Sequence, residues 1–346
     1  MSPSSSRSST APRPASSAES TGKASTSPAS VHRVTVQTAS RLHCGLFSWG
    51  QAGRQFGGVG WMVREPGLTL VAERSDQTQL TGPLANRIAD FVAHWQQHQD
   101  AGPLPPLRWQ VLAAPPPHVG LGTGTQLGLA VATCLFRFCG RTNVSPHELA
   151  VSSGRGLRSA IGAYGFSQGG LLVEPGKLPG DVLSPLGRRV PLPADWRFVL
   201  VRPASPCGLH GSAERQAFAS LPPVPPTVTA ELIRLAEQRI VPAAAAEDFA
   251  EFSQAVYEYG VLAGSCFAPL QGGPFNGPCL TALVDRIRQS GVAGVGQSSW
   301  GPTLFAILPH DSGARQFASS LAASWDDPLD IVITAADNLG ATVLTE

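Results

Sequence analysis

The stretch LRWQVLAAPPPHVGLGTGTQLGLAVATCLFRFCG, Leu107 to Gly140, decides the fold. Leu107 to Ala113 reads as a strand, three prolines stiffen a bend, and Gly120-Leu121-Gly122-Thr123-Gly124-Thr125 forms a glycine loop ahead of a helix predicted to run to about Phe138. A helix start leaves its first N–H groups unpaired and carries the positive end of the macrodipole, so this order builds an anion site suited to phosphate. The glycines let the backbone approach the anion closely, and Thr123 and Thr125 add hydroxyl donors. Apolar residues such as Leu127, Val131, Leu135 and Phe136 surround the helix on nearly every side, the pattern of a buried central helix. A tight connection without a ligand is the plainer reading of the same string, since glycine loops alone are weak evidence. No Lys-Ser/Thr pair follows, as a Walker loop requires, and no acidic residue stands where a dinucleotide site wants one.

Toward the N-terminus, Val31 to Thr38 is β-branched and alternating, a strand that Arg41 to Phe47 continues or follows. A glycine-punctuated turn, Gln51 to Gly60, leads into strands Gly60 to Val63 and Leu68 to Glu73. Leu84, Ile88, Phe91, Val92 and Trp95 mark one face of an amphipathic helix. His94 and His98 lie one turn apart near its end, but no third ligand is close in sequence, and solvated histidines at a helix end explain them as well.

Toward the C-terminus, Ser145-Pro146-His147-Glu148 is a capping box that starts a helix ending near Gly154. A glycine- and arginine-rich segment, Gly154 to Gly170, then feeds a strand Leu171 to Glu174. Arg155 and Arg158 there suit phosphate or carboxylate by charge and bidentate geometry, or are surface arginines beside a turn. The Pro-rich passage Pro175 to Pro193 reads as a boundary, giving a tail 1–30, a domain 31–190 and a domain 191–346. The last contains a strand Trp196 to Val201, His210 in a loop of small residues, and helices Val228 to Ile240, Ala244 to Gly264 and Cys279 to Gln289. A second glycine loop, Gly291 to Pro302, precedes a strand Thr303 to Leu308, a helix Gly313 to Ser324 and a strand Ile331 to Ala335. That order makes an α+β fold economical.

The 346 residues, 42% of them hydrophobic, suffice for two domains or one large one. A net charge of +1 with 14% charged residues, and no basic stripe with interleaved aromatics, argues against a nucleic-acid partner. Six cysteines without CxxC spacing suggest reduced thiols and a cytoplasmic protein. No apolar run reaches the roughly 18 residues a membrane span needs. The first thirty residues, rich in Ser, Ala, Thr and Pro, are expected to be disordered, with a transit peptide as the alternative.

RLHCGL at Arg41 to Leu46, FGGVG at Phe56 to Gly60, HVGLGTGTQLGLAVA at His118 to Ala132, GLRSAIGAYGFSQGG at Gly156 to Gly170 and GVGQSSWGPT at Gly294 to Thr303 together resemble the GHMP kinase superfamily. Within it they look like the beta-ribofuranosylaminobenzene 5'-phosphate synthases of methanopterin biosynthesis. The resemblance implies a ribosomal-S5-like N-terminal domain followed by a ferredoxin-like C-terminal domain. It also implies an enzyme that joins phosphoribosyl pyrophosphate to a 4-substituted benzoate such as 4-aminobenzoate, with Mg²⁺ on the pyrophosphate and loss of carbon dioxide.

Residue reading and resemblance together give Arg41, His43, Arg158 and His210 as candidates for catalysis and Gly120, Leu121, Gly122, Thr123, Gly124, Thr125 and Gln126 for phosphate. Arg54, Gly57, Gly58, Ser159, Gln297, Ser298 and Ser299 are the candidates for substrate contact. In many kinases resembling this chain the segment matching Ser159 to Gly162 ends in an aspartate that acts as general base; here glycine stands there, which weakens the alternative of an ATP-dependent small-molecule kinase. Adjacent acids in the context used by the commoner phosphoribosyltransferases are missing: Glu247-Asp248 falls at a helix start and Asp326-Asp327 in a turn. Oligomeric state is left open, a homodimer included.

Overall fold

The computed structural model describes residues 31–99, 104–204 and 221–346. Two long antiparallel strands, β1 (Arg33–Ser48) and β2 (Phe56–Arg74), form its spine. The alternation read in Val31 to Thr38 runs on through Arg41 to Phe47 as one strand. The two strands expected between Gly60 and Glu73 are likewise one. β2 is long enough to take two third partners in succession: β5 (Leu171–Glu174) pairs with Gly58 to Trp61, and β4 (Leu107–Ala113) with Thr69 to Arg74. Pro66, which has no N–H to give, falls between those two pairings. The short β3 (Gln79–Leu80) and β6 (Arg188–Val190) extend the sheet, and β11 (Thr342–Thr345) closes the other edge by pairing β1.

Three helices and the glycine-loop helix cover one face: α1 (Ala85–His98), α2 (Thr123–Phe138), α3 (Pro146–Ser152) and α4 (Ile161–Gln168). α2 is buried without interruption from Gln126 to Phe136, as its all-round apolar pattern predicts. Ser145 caps α3 by accepting from Glu148 N–H. α4 lies in the glycine- and arginine-rich segment Gly154 to Gly170, where the sequence reading assigns no helix. Its glycines are there for packing: a Cβ on Gly165 would come within 2.3 Å of Met62 Sδ, and one on Gly162 within 3.0 Å of Thr125 Cγ2.

The second sheet runs β10–β7–β9–β8, antiparallel throughout, with β7 (Arg197–Pro203), β8 (Gly294–Gln297), β9 (Leu304–Leu308) and β10 (Leu329–Ala335). β8 arises inside the expected second glycine loop, because Gly294 and Gly296 make room for Ile307 and Phe305 on the neighbouring strand. Pro278–Gln289 and Asp311–Ser324 pack on this sheet, and Phe249–Ser265 lies between the two sheets. Trp61 of β2 meets Phe198, Phe252 and Phe305 there, with ring centroids 5.3, 6.0 and 5.1 Å away.

Candidate active site

A cavity of about 390 Å³ opens where β1, the loop after α3, the start of α2, helix Phe249–Ser265 and the residues after β8 converge. A register shift between His43 and Gly45 turns β1 locally, the usual way a bulge re-aims a side chain, and both residues line the cavity. Arg41, Arg155 and Arg158 also line it, with no carboxylate among the described residues of the lining. The lining also holds an aromatic pair, Phe267 and Trp300, which stack edge to face with centroids 5.0 Å apart.

His43 is fully buried, and burial together with the Arg41 charge holds its pKa well below the usual histidine value. Its Nδ1 accepts from Gly45 N–H at 3.2 Å, so the ring proton belongs on Nε2, which lies 3.0 Å from Ser159 Oγ. The imidazole lone pair is thereby occupied, and the ring's part is to hold Ser159 rather than to take a proton. Behind Ser159 stands Glu174, the last residue of β5, with no exposed surface. Burial raises its pKa, against the opposing pull of the Ser159 hydroxyl, the Ala160 N–H and the Ser184 hydroxyl. Oε2 accepts from Ala160 N–H at 2.8 Å, while Oε1 is buried without a hydrogen bond. Nothing in the pattern LLVEP sets this acid apart, since its neighbours come from other elements.

The glycine loop is roofed by guanidinium groups. Gly122, left-handed at φ 73°, caps α2, and a Cβ on it would sit 3.3 Å from Arg41 Nε. A Cβ on Gly124 would sit 2.3 Å from Nη2 of Arg87, a residue of α1 that no sequence motif marks. Of the loop residues expected to hold phosphate, Thr125 lines the cavity. Gly120 packs against Ser298 O, Leu121 is buried, and Thr123 donates to Pro116 O at 3.2 Å. Gln126 faces inward, bonded to Thr38 Oγ1 and Gly162 O, so its amide is spent on joining α2 to β1 and α4.

Among the substrate candidates, Ser159, Gln297 and Ser299 line the cavity. Ser298 is buried and serves as a latch, accepting from His43 N–H at 3.1 Å and donating to Gly120 O at 2.7 Å. Arg54 lies in the turn between β1 and β2, and Gly57 and Gly58 at the start of β2, all outside the lining: Arg54 Nη1 donates to Gly176 O at 2.8 Å, and the glycines make room for Phe47 and Gly45 O. His210 lies outside the described residues. His94 and His98 stack on each other at 4.1 Å, each bonded to a backbone carbonyl. Among the described residues no group of three or more His, Cys, Asp or Glu is arranged to hold a metal. Among the described residues the cavity lining offers Mg²⁺ only hydroxyl and carbonyl oxygens, a poor donor set for a cation that prefers carboxylates.

The family model for the GHMP kinases C terminal matches residues 240–327. Beta-ribofuranosylphenol 5'-phosphate synthase of Archaeoglobus fulgidus is 31% identical over 304 residues, covering 80% of this chain and 88% of the relative. The chain belongs to the beta-ribofuranosylphenol 5'-phosphate synthase family. The member of that family from Methanothermobacter thermautotrophicus is 27% identical over 337 residues, 91% of this chain and 99% of its own. The fold of this chain is that of the GHMP kinases. Homoserine kinase of Cytophaga hutchinsonii superposes with a TM-score of 0.63 at 14% identity over 90% of this chain and 98% of its own, and phosphomevalonate kinase of Streptococcus pneumoniae with 0.64 at 12% over 88% and 100%. No helix among the described residues is long and apolar enough to cross a membrane.

Proposed function

We propose that this chain condenses phosphoribosyl pyrophosphate with a 4-substituted benzoate, releasing carbon dioxide and pyrophosphate and forming a C-riboside 5'-phosphate, in methanopterin biosynthesis. The observation that carries the reading is one cavity whose described lining combines three arginines, Arg41, Arg155 and Arg158, with the aromatic pair Phe267 and Trp300. The sugar C1–oxygen bond breaks with its electron pair leaving on pyrophosphate. Arg41, Arg158 and the positive end of α2 face that growing charge, and Thr125 offers a hydroxyl. The ring carbon bearing the carboxylate supplies the pair for the new carbon–carbon bond, and loss of carbon dioxide returns a pair to the ring. Phe267 and Trp300 offer the flat apolar surface against which the ring lies, and the drier wall favours decarboxylation.

Mg²⁺ enters this scheme as part of the substrate, chelated by the diphosphate. A ribofuranosylphenol product, as in the name of the relatives, corresponds to 4-hydroxybenzoate and a ribofuranosylaminobenzene product to 4-aminobenzoate; the ring substituent distinguishes them. Kinase chemistry at the same loop is opposed by Gly162, which supplies no carboxylate base and whose added Cβ would come within 3.0 Å of Thr125 Cγ2.

Purified protein given Mg²⁺, phosphoribosyl pyrophosphate and each benzoate in turn is expected to release carbon dioxide and pyrophosphate in equal amounts from one of them. ADP formation from ATP with a small hydroxylated substrate, and no carbon dioxide from either benzoate, would replace this reading with the kinase.

A further inference from the structure

A second pair of arginines, Arg87 and Arg155, stands at the α2 start beside Gly124, as Arg41 stands beside Gly122. Arg87 lies over Gly124, the second residue of the helix. Arg155, in the loop after α3, places its guanidinium 4.7 Å from the ring centre of Phe91, one turn along α1 from Arg87. Neither has an ion-pair partner among the described residues. Arg155 Nε is buried without a hydrogen bond. Burial, and the Arg87 charge beside it, bring the Arg155 pKa down to about 10, so it remains a cation at neutral pH.

The loop that carries Arg155 is held in place. Gly154 and Gly156 are both left-handed, at φ 62° and 80°, and a Cβ on Gly154 would meet the His94 ring at 3.0 Å, so the loop is clamped on α1. Two like charges set side by side at the positive end of a helix oppose one another, and only an anion relieves all three terms at once. Arg155 lines the cavity and Arg87 stands behind it.

We propose that Arg155, backed by Arg87, is a phosphomonoester subsite that receives the 5'-phosphate of the sugar substrate while the diphosphate end faces Arg41 and Arg158. This assignment rests on the phosphoribosyl pyrophosphate reading. A ligand with two anionic groups separated by a ribose needs two cationic patches, and Arg41 beside Gly122 and Arg87 with Arg155 beside Gly124 offer two.

The test separates the two ends. Titration calorimetry of the full chain with ribose 5-phosphate alone and with inorganic pyrophosphate alone is compared for wild type, Arg87→Gln, Arg155→Gln and Arg155→Lys, with melting curves to confirm folding. Ribose 5-phosphate is expected to bind at least about tenfold more weakly to each Gln variant, with pyrophosphate changed less than about threefold and Arg155→Lys intermediate. Unchanged ribose 5-phosphate affinity in folded Gln variants overturns the subsite. So does an equal loss of pyrophosphate affinity, which would assign the pair to the diphosphate, or a wild type that does not bind ribose 5-phosphate. If the arginine dependence holds but wild type forms no C-riboside, the subsite stands and the reaction reading falls.

Discussion

At the scale of single residues, His43 is neutral because it is buried beside Arg41, and that has a pH signature. Its folded pKa is depressed, so the unfolded chain takes up the proton first as pH falls. The stability His43 contributes is present above the unfolded value near 6.5 and is lost as pH falls toward the folded one. The melting-temperature gap between wild type and His43→Gln should therefore narrow between about pH 7.5 and about pH 5. A gap that widens on acidification would mean that the ring is protonated in the folded protein. The sequence made His43, Arg41 and Ser159 visible as candidates because they sit in long distinctive strings. It hid the division of labour among such residues: Gln126 and Ser298 look as suited to a ligand as Thr125 and Ser299, yet their partners are Thr38, Gly162 and Gly120, far away in sequence. Glu174 and Arg87 escaped notice for the same reason, since their chemistry is set by neighbours on other elements.

At the scale of elements, periodicity located the helices and most strands, and glycine misled it. Gly162 and Gly165 in α4, and Gly294 and Gly296 in β8, read locally as loop residues because glycine disfavours both helix and strand. In each case the missing side chain is required by a neighbour from another element, so tertiary packing overrides local preference. Gly165→Ala measures that override. Alanine favours a helix by about 1 kcal/mol over glycine, but its Cβ would come within 2.3 Å of the buried Met62 Sδ, and overpacking costs about 1–3 kcal/mol. The net effect should be destabilising in urea unfolding, and Met62→Ala should relieve part of it in a double-mutant cycle. A more stable Gly165→Ala would show that local preference wins at this position.

At the scale of the whole molecule, the sheets separate near the proline-rich passage, but the core does not. One cluster of buried side chains draws Leu42, Trp61 and Val173 from one side of residue 190 and Phe198, Phe252 and Phe305 from the other. The last strand, β11, returns to complete the first sheet against β1. The cavity, too, is walled by Arg41 and Thr125 from one half and by Phe267, Gln297 and Trp300 from the other. A half of the chain standing alone would expose the Trp61 cluster and leave the β1 edge unpaired, so the halves should not melt independently. Residues 31–346 are expected to unfold in one calorimetric transition whose van't Hoff and calorimetric enthalpies agree. Trp61→Ala, which removes the ring shared by both sheets, should lower stability by about 3–5 kcal/mol while that single transition is kept. Two resolved transitions, with only one of them shifted by Trp61→Ala, would show that the shared core does not couple the halves and that residues 31–190 and 191–346 fold as separate units.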